Sequence, residues 1–128
     1  MVYDLIEDPV KRAALKYGDA NSQLYVALIY REKVVLNWKY LWDEEINSPI
    51  IALEEDKASV VIHNLRKTIY WLLKSHKTNY ISKLHLEDSY IKLSKLYKYG
   101  IGVPIDHEQS EILISSAKDI FSGVQENR

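Results

Sequence analysis

Gly100 and Gly102, one residue apart and followed by Asp106 and an apolar run, have the spacing that most invites a chemical reading. Closely spaced glycines let a backbone approach a phosphate. A phosphate-binding P-loop also needs G-x-x-x-x-G-K-[ST], because the lysine neutralises phosphate and the hydroxyl holds magnesium. Neither residue follows here. The dinucleotide fingerprint needs a preceding strand and a third glycine, but LSKLYKYG reads as helix and Ile105 stands at the third position. A structural role covers every residue instead. Gly100 ends a helix, Gly102 takes a second unusual torsion, and Pro104 stops the helix from resuming. Asp106 caps a new helix, with Gln109 placed to complete a capping box.

The remaining candidates for catalysis are weaker still. His107-Glu108-Gln109-Ser110-Glu111 lacks the second histidine of H-E-x-x-H and opens a helix at its exposed first turn. His63, His76 and His85 have no ligand spacing to one another, and His63, beside a core position, reads as a packed or bridging side chain. His85-x-Glu87 cannot form a nucleobase-deaminase zinc site without cysteines. The chain has no cysteine, which removes disulfides, thiolate nucleophiles and cysteine-ligated zinc together. No nucleophile elbow, kinase loop or tuned carboxylate pair is present. The sequence therefore predicts no catalytic residue, no metal site, no cofactor and no enzyme.

Two surfaces are left as binding candidates. The net charge of −1 hides a strong asymmetry. Residues 1–56 hold six Lys/Arg against eleven Asp/Glu, residues 57–98 nine against two, and residues 99–128 two against five. The acidic candidate joins the aromatics Trp38, Tyr40 and Trp42 to Asp43, Glu44 and Glu45, with Glu54, Glu55 and Asp56 following. Aromatic anchors beside a compact charge patch have the composition of an interface hot spot, although tryptophans at such spacing also fill cores. The basic candidate is the stripe Lys92, Lys95 and Lys98, expected to be solvated. With Lys57, Arg66, Lys67, Lys74, Lys77 and Lys83 it provides cations, and Tyr70, Trp71, Tyr80 and Tyr99 are interspersed. That is chemistry suited to single-stranded nucleic acid, but most of these aromatics fall near core faces. A sequence pI near 6.4 is not that of a dedicated nucleic-acid binder. The two charged regions can equally well complement each other within one molecule.

These residues must be positioned by helices. At 128 residues, 47% hydrophobic and 27% charged, the chain reads as one globular domain over 1–128. It has no apolar run long enough for a bilayer, and acids stand where a secretory signal needs a basic start, so a cytoplasmic location is expected. Asp8-Pro9 reads as a first helix start, with Val10, Ala13, Ala14 and Tyr17 leading to a stop at Gly18. Asp19 then caps a second helix carrying Leu24, Ala27, Leu28, Val35, Trp38 and Trp42, interrupted by Arg31 and Glu32. It runs to about Glu45, or ends near Lys33 with residues 34–42 as a separate element. A third helix follows the acids Glu54, Glu55 and Asp56, with Ala58, Ile62, Leu65, Ile69 and Leu72 as its buried face. After an interruption at Asn79, a fourth buries Leu86, Tyr90, Leu93 and Tyr97. A fifth buries Leu113, Ala117, Ile120 and Phe121. The class is all-α, built from antiparallel hairpins.

Two stretches carry a family pattern. Gly18-Asp19-Ala20 with Gln23, Ala27 and Tyr30 reads GDANSQLYVALIY, which resembles the first helix of a Sel-like repeat, a branch of the tetratricopeptide-like α/α solenoids. Leu93, Tyr97, Gly100, Gly102, Val103 and Asp106 fall on the same family's L-G-x-x-Y-x-x-G-x-G-V-x-x-D. Ser94, Ser110 and Ser116 stand where it has Gly, Ala and Ala. KTIYWLLKS resembles the repeat's second helix. Tyr30 and Tyr97 hold equivalent positions but are too far apart for a single repeat. No G-x-G-V follows Tyr30, so a degenerate repeat with an insertion is expected over 18–78 and a clearer one over 84–122.

The resemblance implies about five helices stacked as a short α/α solenoid, and a non-catalytic protein-protein interaction module. Size, compartment and the acidic patch sharpen that into an expectation: a dedicated binder of one protein partner, such as a bacterial immunity protein neutralising a basic toxin domain. Its contacts are expected in residues 34–56, where the repeat pattern fails. The alternatives are a nucleic-acid-associated accessory protein using segment 57–98, or a small metal-dependent hydrolase.

Overall fold

The computed structural model describes residues 16, 18–76 and 79–126. Apart from Lys16, the helix expected from Asp8 to Tyr17 lies outside the described residues, as does Lys77. Among the described residues there are four helices and one short ribbon: α1 Ala20–Trp38, β1 Trp42–Asp43, β2 Ser48–Pro49, α2 Glu55–Ser75, α3 Tyr80–Tyr99 and α4 His107–Glu126. The fold is thus mostly helical, as expected.

The helix ends follow from the residues that stand there. Gly18 takes φ +68°, and Asp19 begins α1 by accepting the Ser22 N–H at 2.9 Å on Oδ2. Asn79 does the same for α3, accepting from the Ile81 and Ser82 amides. Glu54 precedes α2 without a side-chain cap, and Glu55 and Asp56 fill its first turn, where the helix dipole favours negative charge. Gly100 ends α3 in the left-handed conformation, and the Ile101 N–H reaches back to the Leu96 carbonyl at 2.9 Å. With Ile101 itself buried, this is a Schellman ending with its hydrophobic contact. Asp106 then caps α4 through the Gln109 amide at 2.9 Å. The reciprocal half of the expected capping box is replaced, because the Asp106 N–H donates to the Tyr97 carbonyl. That bond ties the start of α4 to the end of α3.

Contacts fix the order and direction of the helices. Arg66 reaches the Tyr97 hydroxyl and Ser75 meets Ser82, so α2 and α3 are antiparallel. Ser94 meets Ser110 and Tyr80 meets Phe121, so α3 and α4 are antiparallel as well. Arg31 approaches Asp88, Trp38 lies under Lys92, and Trp42 meets Tyr99, all in ascending order. Helices α1 and α3 therefore run parallel, side by side, and each helix packs against its neighbour in sequence.

The core runs through all four helices. On α2, Ala58, Ile62, Leu65, Ile69 and Leu72 are all buried, as their spacing predicts, joined by Val61 and Trp71. Fully burying each large aliphatic side chain contributes about 1.5–3 kcal/mol. Leu86 and Leu93 of α3 and Leu113 and Ala117 of α4 are buried too, with Tyr90, Tyr97 and Ile120 packed at the margin.

On α1 the expected stripe holds at Ala27 and Trp38, with Leu24 packed at the margin, but it departs at one position. Val34 is buried and Val35 is exposed, so the inward face is Val26, Ala27, Val34 and Trp38 with Tyr30 at its edge. The helix is apolar on nearly every side, and periodicity then cannot select a face. Arg31, expected to interrupt the stripe, instead turns toward Asp88 of α3, while Glu32 faces solvent.

Helix α1 ends at Trp38, neither at Lys33 nor at Glu45. Lys39 closes it, the Leu41 N–H returns to the Trp38 carbonyl, and the Ile50 N–H pairs with the Leu41 carbonyl. The ribbon pairs Trp42 with Pro49 and Asp43 with Ser48, and its loop ends at Asn47 with φ +49°. Asparagine tolerates that left-handed torsion better than most side chains.

Candidate functional site

The two binding surfaces expected from the sequence meet at one place. Residues 38–50 fold back onto α3, and the rings of Trp38 and Trp42 lie under its lysines. The Lys92 ammonium is 5.5 Å from the centre of the Trp38 ring, that of Lys95 4.7 Å from Trp42, and that of Lys98 5.5 Å from Tyr99. Trp38 and Trp42 stack on each other at 6.1 Å, and Trp42 meets Tyr99 at 5.5 Å. A cation over an aromatic face contributes about 0.5–2 kcal/mol, more as the pair is desolvated.

This arrangement revises the reading of the basic stripe. Lys92 and Lys95 are half-buried, not solvated, and only Lys98 is exposed. Lys92 also holds both carboxylate oxygens of Asp88 at 2.9 and 2.8 Å. The physical reason is that a lysine stem covers apolar surface well while its ammonium rests on a ring face.

The acidic candidate separates into parts. Trp38 and Trp42 are 6% and 3% exposed, so both rings belong to the core. Their polar edges are used: the Trp38 Nε1–H donates to Glu44 Oε1 at 2.8 Å, and the Trp42 Nε1–H to Asn47 Oδ1 at 3.3 Å. The two indoles thus hold the ribbon loop from beneath. The Glu45 amide is anchored on Asp43 Oδ1 at 3.0 Å. Tyr40 is 38% exposed, with the ammonium groups of Lys39 and Lys57 at 5.3 and 5.0 Å from its ring. Glu54, Glu55 and Asp56 stand exposed at the start of α2. Among the described residues none of these six acids forms an ion pair; Asp88 takes both that are recorded there, with Arg31 and Lys92.

What the sequence reading missed at this site is the apolar part of the surface. Val35, Leu36, Ile46 and Ile51 are exposed around the ribbon, Ile51 completely. A cleft of about 480 Å³ opens here, with Val35, Trp38, Trp42 and Ile50 around it and Asp43, Glu44, Glu45 and Lys39 at its rim. Asn47-Ser48-Pro49 is the available sequence sign of a hairpin loop. A second cleft of about 560 Å³ lies between α3 and α4, lined by Ile91, Ser94, Lys95, Lys98 and Ile114 among others.

The histidines separate as well. His63, expected to be packed or bridging, is exposed, because it points away from the α2 stripe of Ile62, Leu65 and Ile69. His85 sits beside Arg31 and Asp88. Burial, and secondarily the Arg31 charge, hold its imidazole below the ordinary range, with Asp88 opposing. Among the aromatics expected near core faces, only Trp71 is buried; Tyr70, Tyr80 and Tyr99 are exposed. Among the described residues no group of three or more His, Asp or Glu is arranged to hold a metal ion. Nor is any helix there long and apolar enough to cross a membrane.

No family model matches the chain, and comparison with curated proteins and with solved structures finds no match.

Proposed function

We propose that this protein is a non-catalytic protein-binding module, a short α/α solenoid of the Sel-like kind, whose segment 34–56 contacts one dedicated partner. The observation that carries the reading is the surface of that segment. Leu36, Ile46 and Ile51 are exposed beside six carboxylates that find no cation among the described residues. Exposed apolar groups rimmed by polar ones mark interaction sites more often than incidental surface.

The solenoid part of the reading is supported by the parallel pair α1 and α3, each followed by an antiparallel helix. It is also supported by the glycine turn after α3, where Gly100 and Gly102 both take positive φ. In that frame α1 continues beyond Lys33, the position equivalent to Gly100, and segment 39–54 replaces the turn. The partner that fits an acidic, apolar surface is a basic protein domain. A toxin nuclease held in the cytoplasm by its bacterial immunity protein is one such pair. Affinity capture with the tagged full chain, from its own cell extract or co-expressed with the neighbouring reading frame, tests this. A stoichiometric protein that is lost on Ile46→Glu/Ile51→Glu is expected. No stoichiometric protein in either experiment sinks the reading.

A further inference from the structure

We infer that the cleft beside the ribbon receives a cationic side chain of the partner, an arginine or lysine, laid stem-down on Val35 and Ile50 with its head among Glu44 and Glu45. The inference rests on the binding-module reading and names the chemistry of its central contact.

Three features of the cleft lead to this occupant. Val35, Ile50 and the two indoles give it an apolar lining. That lining matches a hydrocarbon stem better than a fully polar ligand. Its rim carries Asp43, Glu44 and Glu45 against the single cation Lys39, whose ammonium is placed over the Tyr40 ring. Finally, the carboxylate of Glu44 is held in place by the indole N–H of Trp38, and the amide of Glu45 is tied to Asp43. An indole donor orients a carboxylate without neutralising it. The ion is thus positioned in advance and still unpaired, which lowers the ordering cost of binding.

The rest of the molecule shows what a satisfied acid looks like. Asp88 stands between α1 and α3 with Lys92 bound to both of its oxygens and Arg31 at 3.9 Å. Among the described residues Glu44 and Glu45 have no such cation. The partner surface that complements them is basic, and the flanking Leu36, Ile46 and Ile51 give it apolar contacts around the charge. An acidic or uncharged segment would leave the rim charges facing nothing.

Calorimetric titration of the full chain with a capped oligo-arginine peptide tests the inference, with an oligo-glutamate peptide as control. Saturable binding of the arginine peptide alone is expected. It should be about tenfold weaker in Glu44→Gln/Glu45→Gln, the effect of two solvated ion pairs. Glu54→Gln/Glu55→Gln/Asp56→Asn, at the start of α2, should change it less. Circular dichroism confirms that each variant folds. Equal binding by Glu44→Gln/Glu45→Gln, a larger loss in the α2 variant, or no binding of the arginine peptide overturns the inference. A captured partner that Glu44→Gln/Glu45→Gln still holds removes the cleft while leaving the binding-module reading in place. Peptide binding at the cleft with no captured partner does the reverse.

Discussion

The two hairpins of this molecule solve the same problem by different means. Helices α3 and α4 are joined by seven residues, 100–106, whose shape is set by backbone torsion and backbone hydrogen bonds. Helices α1 and α2 are joined by residues 39–54, a backbone-paired ribbon that side chains anchor. There two indoles, a carboxylate and an amide acceptor, and a tolerated asparagine torsion hold a small ribbon against α3. The first connection depends on the missing Cβ of glycine, and the second on the size of tryptophan. The surfaces differ accordingly: the glycine turn exposes Ile105 alone among its large apolar side chains, whereas the ribbon exposes Ile46 and Ile51 beside Asp43, Glu44 and Glu45.

Removing an indole should damage the side-chain-anchored connection most. Trp42→Ala deletes a ring that touches Trp38, Tyr99 and the Lys95 ammonium. It is expected to cost about 3–5 kcal/mol in urea denaturation, the usual range for a buried tryptophan. A loss under about 1 kcal/mol would show that the ribbon is not part of the core.

The glycine-built connection should break next. Gly102 has φ +74°, and a Cβ there would meet Ile62 Cγ1 at 3.0 Å and Ala58 at 3.2 Å. Gly102→Ala combines an unfavourable torsion of about 1–2 kcal/mol with overpacking of about 1–3 kcal/mol, so a loss of about 2–5 kcal/mol is expected by the same denaturation. A neutral result would mean that the turn rearranges without loss.

A subtler comparison uses the serines. Ser94 and Ser110 share a 2.8 Å hydrogen bond where the resembled repeat pattern has two smaller residues. Ser94→Ala alone should cost about 1–3 kcal/mol by leaving Ser110 with an unmet hydroxyl, and the double alanine variant should recover part of it. A double variant worse than the sum of the singles would refute that pairing.

The smallest effect concerns pH. The imidazole of His85 has a folded pKa below its ordinary value of about 6.5, so the unfolded chain binds the proton more readily. Stability should therefore fall as pH drops through about 6.5 and level off below the folded value. Melting temperatures across that window should show a slope that His85→Gln reduces. Because the ring is partly solvated, the slope should be shallow.

Much of this architecture was readable in advance, for reasons visible in particular residues. The caps Asp19 and Asp106, the stop at Gly100 and the stripe from Ala58 to Leu72 act locally, through one helix's own torsions and periodicity. The Glu54–Asp56 cluster marked the start of α2 in the same way. What escaped was decided between elements. Val34 and Val35 are chemically identical, and only the position of α2 selects which one faces inward. The tryptophans were legible as core or interface, but their cover was not, since Lys92 and Lys95 reach them from a helix about fifty residues away. The cleft escaped entirely. Its lining joins Val35 to Ile50 across a ribbon only two residues wide on each strand.

Gly102 belongs to the turn of the second hairpin, yet the atoms nearest it are those of Ala58 and Ile62 in the first turns of α2. The consequence is cooperativity. The turn that completes one hairpin reaches its packed position only when the other hairpin is already there to receive it. Cutting the chain between Ser75 and Tyr80 would leave each half with an unfinished surface instead of two smaller folded proteins. The four described helices are thus expected to melt as one unit, so a change in one hairpin is felt in the other.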